Sequence, residues 1–326
     1  MSSGSLQEDC LLCKVVFMKT KSPISIRFDK NAVVLFDKRN GTKLRFAIGK
    51  YDKASKPELV DICISDFCPF ACNFCYMGST LEGEHSTMEQ MDFIINELSR
   101  VGVQECALGG GEPTSHPHFI EILEKFHAAG IVPNFTTKTA AMVRKLWPQI
   151  GHLIGGFAYS AETPAQVRAA AKLLTRGNVP LSKGNLHYVM GLGDREHFRE
   201  YLETAHEVGM RVTLLGYKTS GRGKDVIPHP YDWWIDEVSA MINRKTCPDL
   251  SIDTPLAEQY DGKMPIENHM RHLFEGQYSM YLHAPTMMMG ASSFDEAEEL
   301  VPFDKNWRKI YRKRSFAKGQ WGDRLV

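Results

Sequence analysis

Neither sign of charge prevails in this chain. Its 39 basic side chains meet 39 acidic ones, so the formal charge at neutral pH is zero. A balanced surface exerts no global pull on nucleic acid or anionic membrane, and either partner would need a local basic patch. Long apolar runs are missing too. Nowhere do about 18 apolar residues follow one another, and the opening Met1-Ser2-Ser3-Gly4-Ser5 leads into no basic and then apolar stretch. Neither membrane insertion nor export is expected, and the expected location is the cytoplasm. Internal repeats and low-complexity tracts are also lacking, so domain edges have to be read from changes of pattern. What is present is a globular composition, 43% hydrophobic over 326 residues, long enough for one barrel with an appendage or for two domains.

The runs 24–28, 32–36 and 44–48 are rich in β-formers and are broken by Asp29-Lys30-Asn31 and Arg39-Asn40-Gly41. This reads as a small antiparallel sheet. After Pro57 the rhythm becomes strand then helix. Strands are expected at 59–65, 104–109, 131–137, 152–160, 185–190 and 211–217, with amphipathic helices at 87–101, 117–129, 139–147, 164–176, 194–208 and 231–244. Six β/α units in a row imply an α/β fold with a parallel sheet. Eight such units close a barrel, so six leave a partial (β/α)6 TIM-like barrel with a gap to cover. Residues 246–326 are the expected cover, an α+β lid whose runs 278–282 and 286–289 form a hairpin. The expected divisions are a β-rich extension at 1–56, the barrel at 57–245 and the lid at 246–326.

Ligands of parallel β/α folds gather at the carboxyl ends of the strands. There the first barrel strand runs into Cys68-Pro69-Phe70-Ala71-Cys72-Asn73-Phe74-Cys75, the spacing CxxxCxxC. For the eight cysteines of a chain without an export signal, reduced thiols, metal ligands or core positions are favoured over disulfides. Three thiolates this close can converge on one centre. Structural zinc commonly takes four ligands in two separated pairs, and Cys63 or His85 would have to complete the set. Iron–sulfur clusters are usually held by four thiolates, so three leave one iron open to something other than protein. Spacing alone leaves both metals standing.

After the second strand comes Gly109-Gly110-Gly111-Glu112-Pro113-Thr114. Glycines there permit close backbone approach, and Glu112 sets a carboxylate beside any ligand. A CxxxCxxC with Phe74 before its last cysteine, followed one β/α unit later by Gly-Gly-Glu, resembles the radical S-adenosylmethionine (radical SAM) superfamily across residues 59–245. The resemblance implies that Cys68, Cys72 and Cys75 bind three irons of a [4Fe–4S] cluster, with Phe74 and Tyr76 beside the cofactor. It implies Gly110, Gly111 and Glu112 at the amino group of S-adenosylmethionine. Strands three and four end in Thr137-Lys138 and Ser160-Ala161-Glu162, which match positions near the methionyl and ribose parts. Helix capping is the competing reading of those residues. Met190, at the end of strand five, matches a segment that packs on adenine.

In that family an electron from a reductant such as flavodoxin or ferredoxin passes through the cluster and cleaves the sulfonium bond. The resulting 5′-deoxyadenosyl radical takes a hydrogen atom from the substrate. Such a radical must be kept from water, which gives the lid a purpose. A small anionic metabolite or nucleotide is the expected substrate, because Lys218 and Arg222 lie on the glycine-rich loop after strand six and suit oxyanion recognition. A solvated loop is the competing reading of the same residues. Modification of a peptide or tRNA, and a non-catalytic iron or zinc protein, are the other function classes.

Five cysteines are left over. Cys63 and Cys106 fall inside strands and read as core, Cys10 and Cys13 form a lone CxxC, and Cys247 stands by itself. The hairpin region 276–294 has the outline of the SPASM or Twitch extension of relatives but contains no cysteine, so no auxiliary cluster is expected. The methionines 287 to 289 read as lid packing. The basic, aromatic-rich stretch 307–321 reads as a solvated terminal helix rather than a nucleic-acid surface.

Overall fold

The computed structural model describes residues 22–49, 53–260, 263, 275–295 and 297–313. The Cys10–Cys13 pair and the end of the basic tail lie outside them. Strands β1 (Ile24–Asp29), β2 (Ala32–Asp37) and β3 (Lys43–Ala47) form the expected antiparallel sheet. One face of it, with Val34 and Phe36 fully buried, packs on the rest of the chain. Lys43 pairs with Glu105, Arg45 with Glu58, and Arg27 donates to the carbonyls of Lys56 and Pro57. These links press the small sheet against the amino ends of the barrel strands.

The six expected barrel strands follow as β4 (Leu59–Ser65), β5 (Glu105–Gly110), β6 (Val132–Thr137), β7 (Phe157–Ser160), β8 (Gly184–Val189) and β9 (Arg211–Leu215). They pair in sequence order and all in parallel. Helices α1 (Met88–Val101), α2 (Phe119–Ala128), α3 (Ala140–Ile150), α4 (Pro164–Arg176), α5 (Arg195–Val208) and α6 (Trp234–Arg244) follow the strands in turn. Local chemistry fixes their starts: Thr87 makes a capping box with Gln90, and Thr139, Thr163 and Asp194 each accept a hydrogen bond from the first turn. Strand β7 is shorter than expected, because Gly155 and Gly156 pass close to Asn134 and Lys183 in a turn rather than in a strand. Helix α3 runs past Pro148, where the sequence suggested a stop; Ile150 beyond it is fully buried. Packing there outweighs the one hydrogen bond that proline gives up in the last turn.

The region 246–326 departs furthest from expectation. It builds onto the barrel sheet at both edges. Strand β10 (Leu250–Ile252) pairs in parallel with β9, and β11 (Ser279–His283) pairs in parallel with β4, followed by antiparallel β12 (Met288–Gly290) and β13 (Val301–Pro302). The hairpin is present, but its first strand is a member of the barrel sheet, so a division at residue 246 does not coincide with any edge of that sheet. Helices α7 (Thr254–Gln259) and α8 (Trp307–Lys313) complete the described chain. The latter is anchored by Trp307, which is fully buried and donates to Glu97.

Strand alternation divides the barrel residues into two sets. Val60, Ile62 and Ile64 of β4, Cys106 and Leu108 of β5, and Leu186 and Tyr188 of β8 face the helices and form the core. Their neighbours Asp61, Ala107, Gly109, His187 and Val189 line the lumen. Cys63 is buried as expected, yet it belongs to the luminal set rather than to the core.

Candidate active site

At the carboxyl ends of the strands lies a cavity of about 500 Å³, bordered by Cys68, Cys72 and Cys75 together with the Gly109–Glu112 turn. The cysteine loop leaves β4 and is pinned back on itself, the Cys68 amide donating to Thr80 O at 2.8 Å and the Cys75 amide to Cys72 O at 3.3 Å. Ala71, with φ 45°, makes the left-handed bend between the first two cysteines. All three are free thiols, and burial with the neighbouring thiols pushes the Cys68 pKa up. Three soft donors converging on one cavity, which Cys63 also lines with its thiol turned to Asp66, fit an iron–sulfur cluster with one open iron. Among the described residues, His85 instead accepts from or donates to Ser65, and Cys63 points at Asp66, so neither completes a zinc site with the triplet.

The glycines of the turn are dictated by that loop. Gly110 has φ +107°, and a Cβ there would stand 2.3 Å from Ser65 O; a Cβ on Gly111 would stand 2.1 Å from Phe67 O. Only bare backbone lets β5 pass so close behind the cysteines. Glu112 is buried, and its Oε1 accepts from the Thr114 amide, the Thr114 hydroxyl and the Thr137 hydroxyl, while Oε2 accepts from the Lys138 amide. A carboxylate offers about four acceptor positions. Oε1 is saturated and Oε2 keeps one position for an ammonium in the cavity.

Lys138 lies over the Phe74 ring at 5.4 Å and donates to Cys72 Sγ at 2.8 Å and to Glu162. Burial works against its charge, but Cys72 and Glu162 outweigh it and hold the pKa above the ordinary value. Ser160 lines the cavity, and the cap of α4 is Thr163, so capping is not the role of Ser160 or Glu162. Thr137 and Tyr76 also line it, Tyr76 accepting a hydrogen bond from Ser293. Met190 does not. It is fully buried in the core, and its strand neighbour Val189 takes the luminal position, because a shift of one residue turns a side chain to the other face.

The basic loop is divided by the structure. Lys218 reaches the cavity, 4.7 Å above the Tyr76 ring, 5.3 Å from that of Phe294 and 3.6 Å from Asp253. Arg222, expected beside a substrate anion, is turned to the back of the cysteine loop. Its Nε donates to Cys72 O at 2.8 Å, its Nη1 to Ser79 O at 2.9 Å and its amide to Cys75 O at 2.9 Å. Gly221 is required because a Cβ there would stand 2.4 Å from Tyr76 O.

Several luminal groups were not singled out from sequence. Burial raises the Asp61 carboxyl to about 6 and the Glu275 carboxyl to about 8, and depresses His187 to about 4. Asp253 caps α7 with one oxygen and faces Lys218 with the other. A charged residue at the centre of the apolar run Leu59-Val60-Asp61-Ile62 was the available signal for Asp61.

Residues 62–219 match the family described as the Radical SAM superfamily. PqqA peptide cyclase of Ruegeria pomeroyi is 27% identical over 182 residues, 48% of this chain and 47% of that protein. GTP 3′,8-cyclase of Pasteurella multocida is 25% identical over 150 residues, 45% of this chain and 40% of that protein. The chain spans about half the length of the curated relatives it matches. Streptococcus suis SuiB bound to S-adenosylmethionine has the same fold, with TM-score 0.67 at 15% identity over 90% of this chain and 87% of that one. SuiB bound to precursor peptide SuiA gives 0.68 at 14% identity over 89% and 87%. Both motifs fall inside residues 62–219, and that stretch of the chain is a radical SAM domain, the domain of an enzyme.

Proposed function

We propose that this enzyme holds a [4Fe–4S] cluster on Cys68, Cys72 and Cys75, binds S-adenosylmethionine against Gly110, Gly111 and Glu112, and modifies one side chain of a peptide. When bound, that pair and an external reductant such as flavodoxin or ferredoxin supply a carbon radical that removes a hydrogen atom. The chain does the rest. Oε2 of Glu112, fixed by Thr137 and Lys138, takes the cofactor's ammonium, and Ser160 and Glu162 stand on the neighbouring strand end. Lys138 holds Cys72 in place as a hydrogen-bond donor, and Phe74 lies beneath it.

The observation that carries the substrate class is the size of the cavity. At about 500 Å³ it is within the range of one drug-sized ligand. With S-adenosylmethionine inside, the remaining room around Asp61, Lys218, Glu275 and Phe294 suits a side chain that enters from the open mouth. Two relatives bear on this: one is named for acting on the peptide PqqA and another has been solved with a precursor peptide. A small anionic metabolite or nucleotide is the second reading, favoured by Lys218 at the cavity wall and by the likeness to GTP 3′,8-cyclase.

Anaerobic reconstitution tests the reading. About four irons per chain, broad visible absorption and reductant-dependent release of 5′-deoxyadenosine are expected; bound zinc without that product would overturn it. Candidate peptides should accelerate the release. Acceleration by nucleotides alone would replace the peptide reading with the anionic one.

A further inference from the structure

The N-terminal sheet turns one face to the barrel and leaves an apolar face outward. Arg27, Asp29, Val34 and Phe36 point to the barrel and are buried. The residues between them point away: Ile26 pairs with Leu35 and Leu35 with Leu44, and Phe28 pairs with Val33 and Val33 with Phe46. These two rows cross all three strands. Ile24 and Ile48 extend the patch at its ends, and Ile48 is 89% exposed. Phe28 and Phe46 are 60% and 59% exposed, standing higher than Val33 between them, so two aromatic ridges flank a shallow valley. No charged side chain interrupts the rows.

The six exposed members leave roughly 700 Å² of apolar surface open, taking about 200 Å² for a whole large side chain. The largest patch on an ordinary monomer is about 300–600 Å². A stable pair of proteins buries about 800 Å² on each partner. The area is therefore at or above the top of what a solitary chain usually shows and approaches one side of a standard interface. The charge at the edge of the patch, Asp37 beside Ile24, is matched by Arg39, so the patch meets its own copy across a two-fold axis with little like-charge repulsion. Sheets stacked face to face, about 10 Å apart, bury side chains of this size.

We propose that this face is the interface of a homodimer, in which the N-terminal sheets of two copies stack on each other. Each sheet is then held between its own barrel, through Lys43–Glu105 and Arg45–Glu58, and the other copy. Both cavities, at the far ends of the barrel strands, stay open.

Sedimentation velocity of the anaerobically reconstituted full chain, at about 1 to 50 µM, should give twice the chain mass. A Phe28→Glu, Phe46→Glu double variant should sediment as a monomer with its circular dichroism and visible absorption unchanged. Ile48→Lys, outside the strands, should weaken the dimer at least tenfold as a check independent of strand stability. A monomeric wild type, or a dimer indifferent to these three positions, would overturn the interface. So would a monomer that dimerises only after the first 21 residues are removed, since that would give the face to the chain's own N-terminal segment.

Discussion

Replacing Arg222 with Ala separates two accounts of the loop after β9. In the structure its guanidinium braces the cysteine loop through Cys72 O and Ser79 O. Hydrogen bonds from a charged donor contribute about 1.5–3 kcal/mol each. Water replaces part of both, and Nη2 is buried without a hydrogen-bond partner, an offsetting cost of the native arrangement. The net loss should therefore fall at about 2–3 kcal/mol, equivalent to roughly 30- to 150-fold in cluster retention. The assay is the half-life of visible absorption under an iron chelator, followed anaerobically, with substrate KM measured on chains that still carry iron. Arg222→Lys, which keeps the charge but not the two-pronged geometry, should fall between wild type and Ala. Wild-type iron retention with a raised KM would refute the bracing role and restore Arg222 as a substrate ligand.

Two further substitutions follow from the lumen and the turn. Asp61 has its pKa raised from 3.8 to about 6 by burial, so the folded chain holds that proton more tightly than the unfolded one. Its contribution is most favourable below the unfolded value and is lost as pH rises through about 6; Asp61→Asn should add about 1–3 kcal/mol to unfolding free energy near pH 8 and nothing near pH 3. Urea melts at both pH values check this, and an equal effect at both would refute it. Gly110→Ala combines a positive φ with a clash at Ser65 O, so a loss of about 2–5 kcal/mol and a clearly lowered Tm are expected. Gly109→Ala, which meets nothing within 4 Å, is the built-in control and should melt like wild type.

Much of the site was legible because its signals are local. The cysteine spacing, the Gly-Gly-Glu turn and their succession at two strand ends need only the β/α rhythm to be placed together. The roles of Lys218 and Arg222 needed more, since two residues four positions apart on one loop point to opposite sides of it and sequence does not say which side faces the cavity. Met190 and Val189 differ by one step of strand alternation, and that step decides between core and lumen. Asp61, Asp253 and Glu275 come from three separate elements, and only the closed geometry brings them to one wall. Edge pairing was invisible for the same reason: β10 and β11 reach the sheet through contacts distant in sequence, while the hairpin of β11 and β12 was readable from its own residues.

The pairing of β11 with β4 joins Ser279 to Leu59 across about two-thirds of the chain. During synthesis, at roughly 5–20 residues per second, the strand that feeds the cysteine loop emerges long before its second neighbour exists. For that interval β4 has one open edge, a hazard for pairing with other chains. His283, at the end of the late strand, then closes onto the Asp66 carboxylate at 3.0 Å, two residues before the first cysteine. The cysteine loop is thus fastened only after a strand 217 residues further along the chain has been made, so any metal proposed for it would meet a finished loop late in maturation.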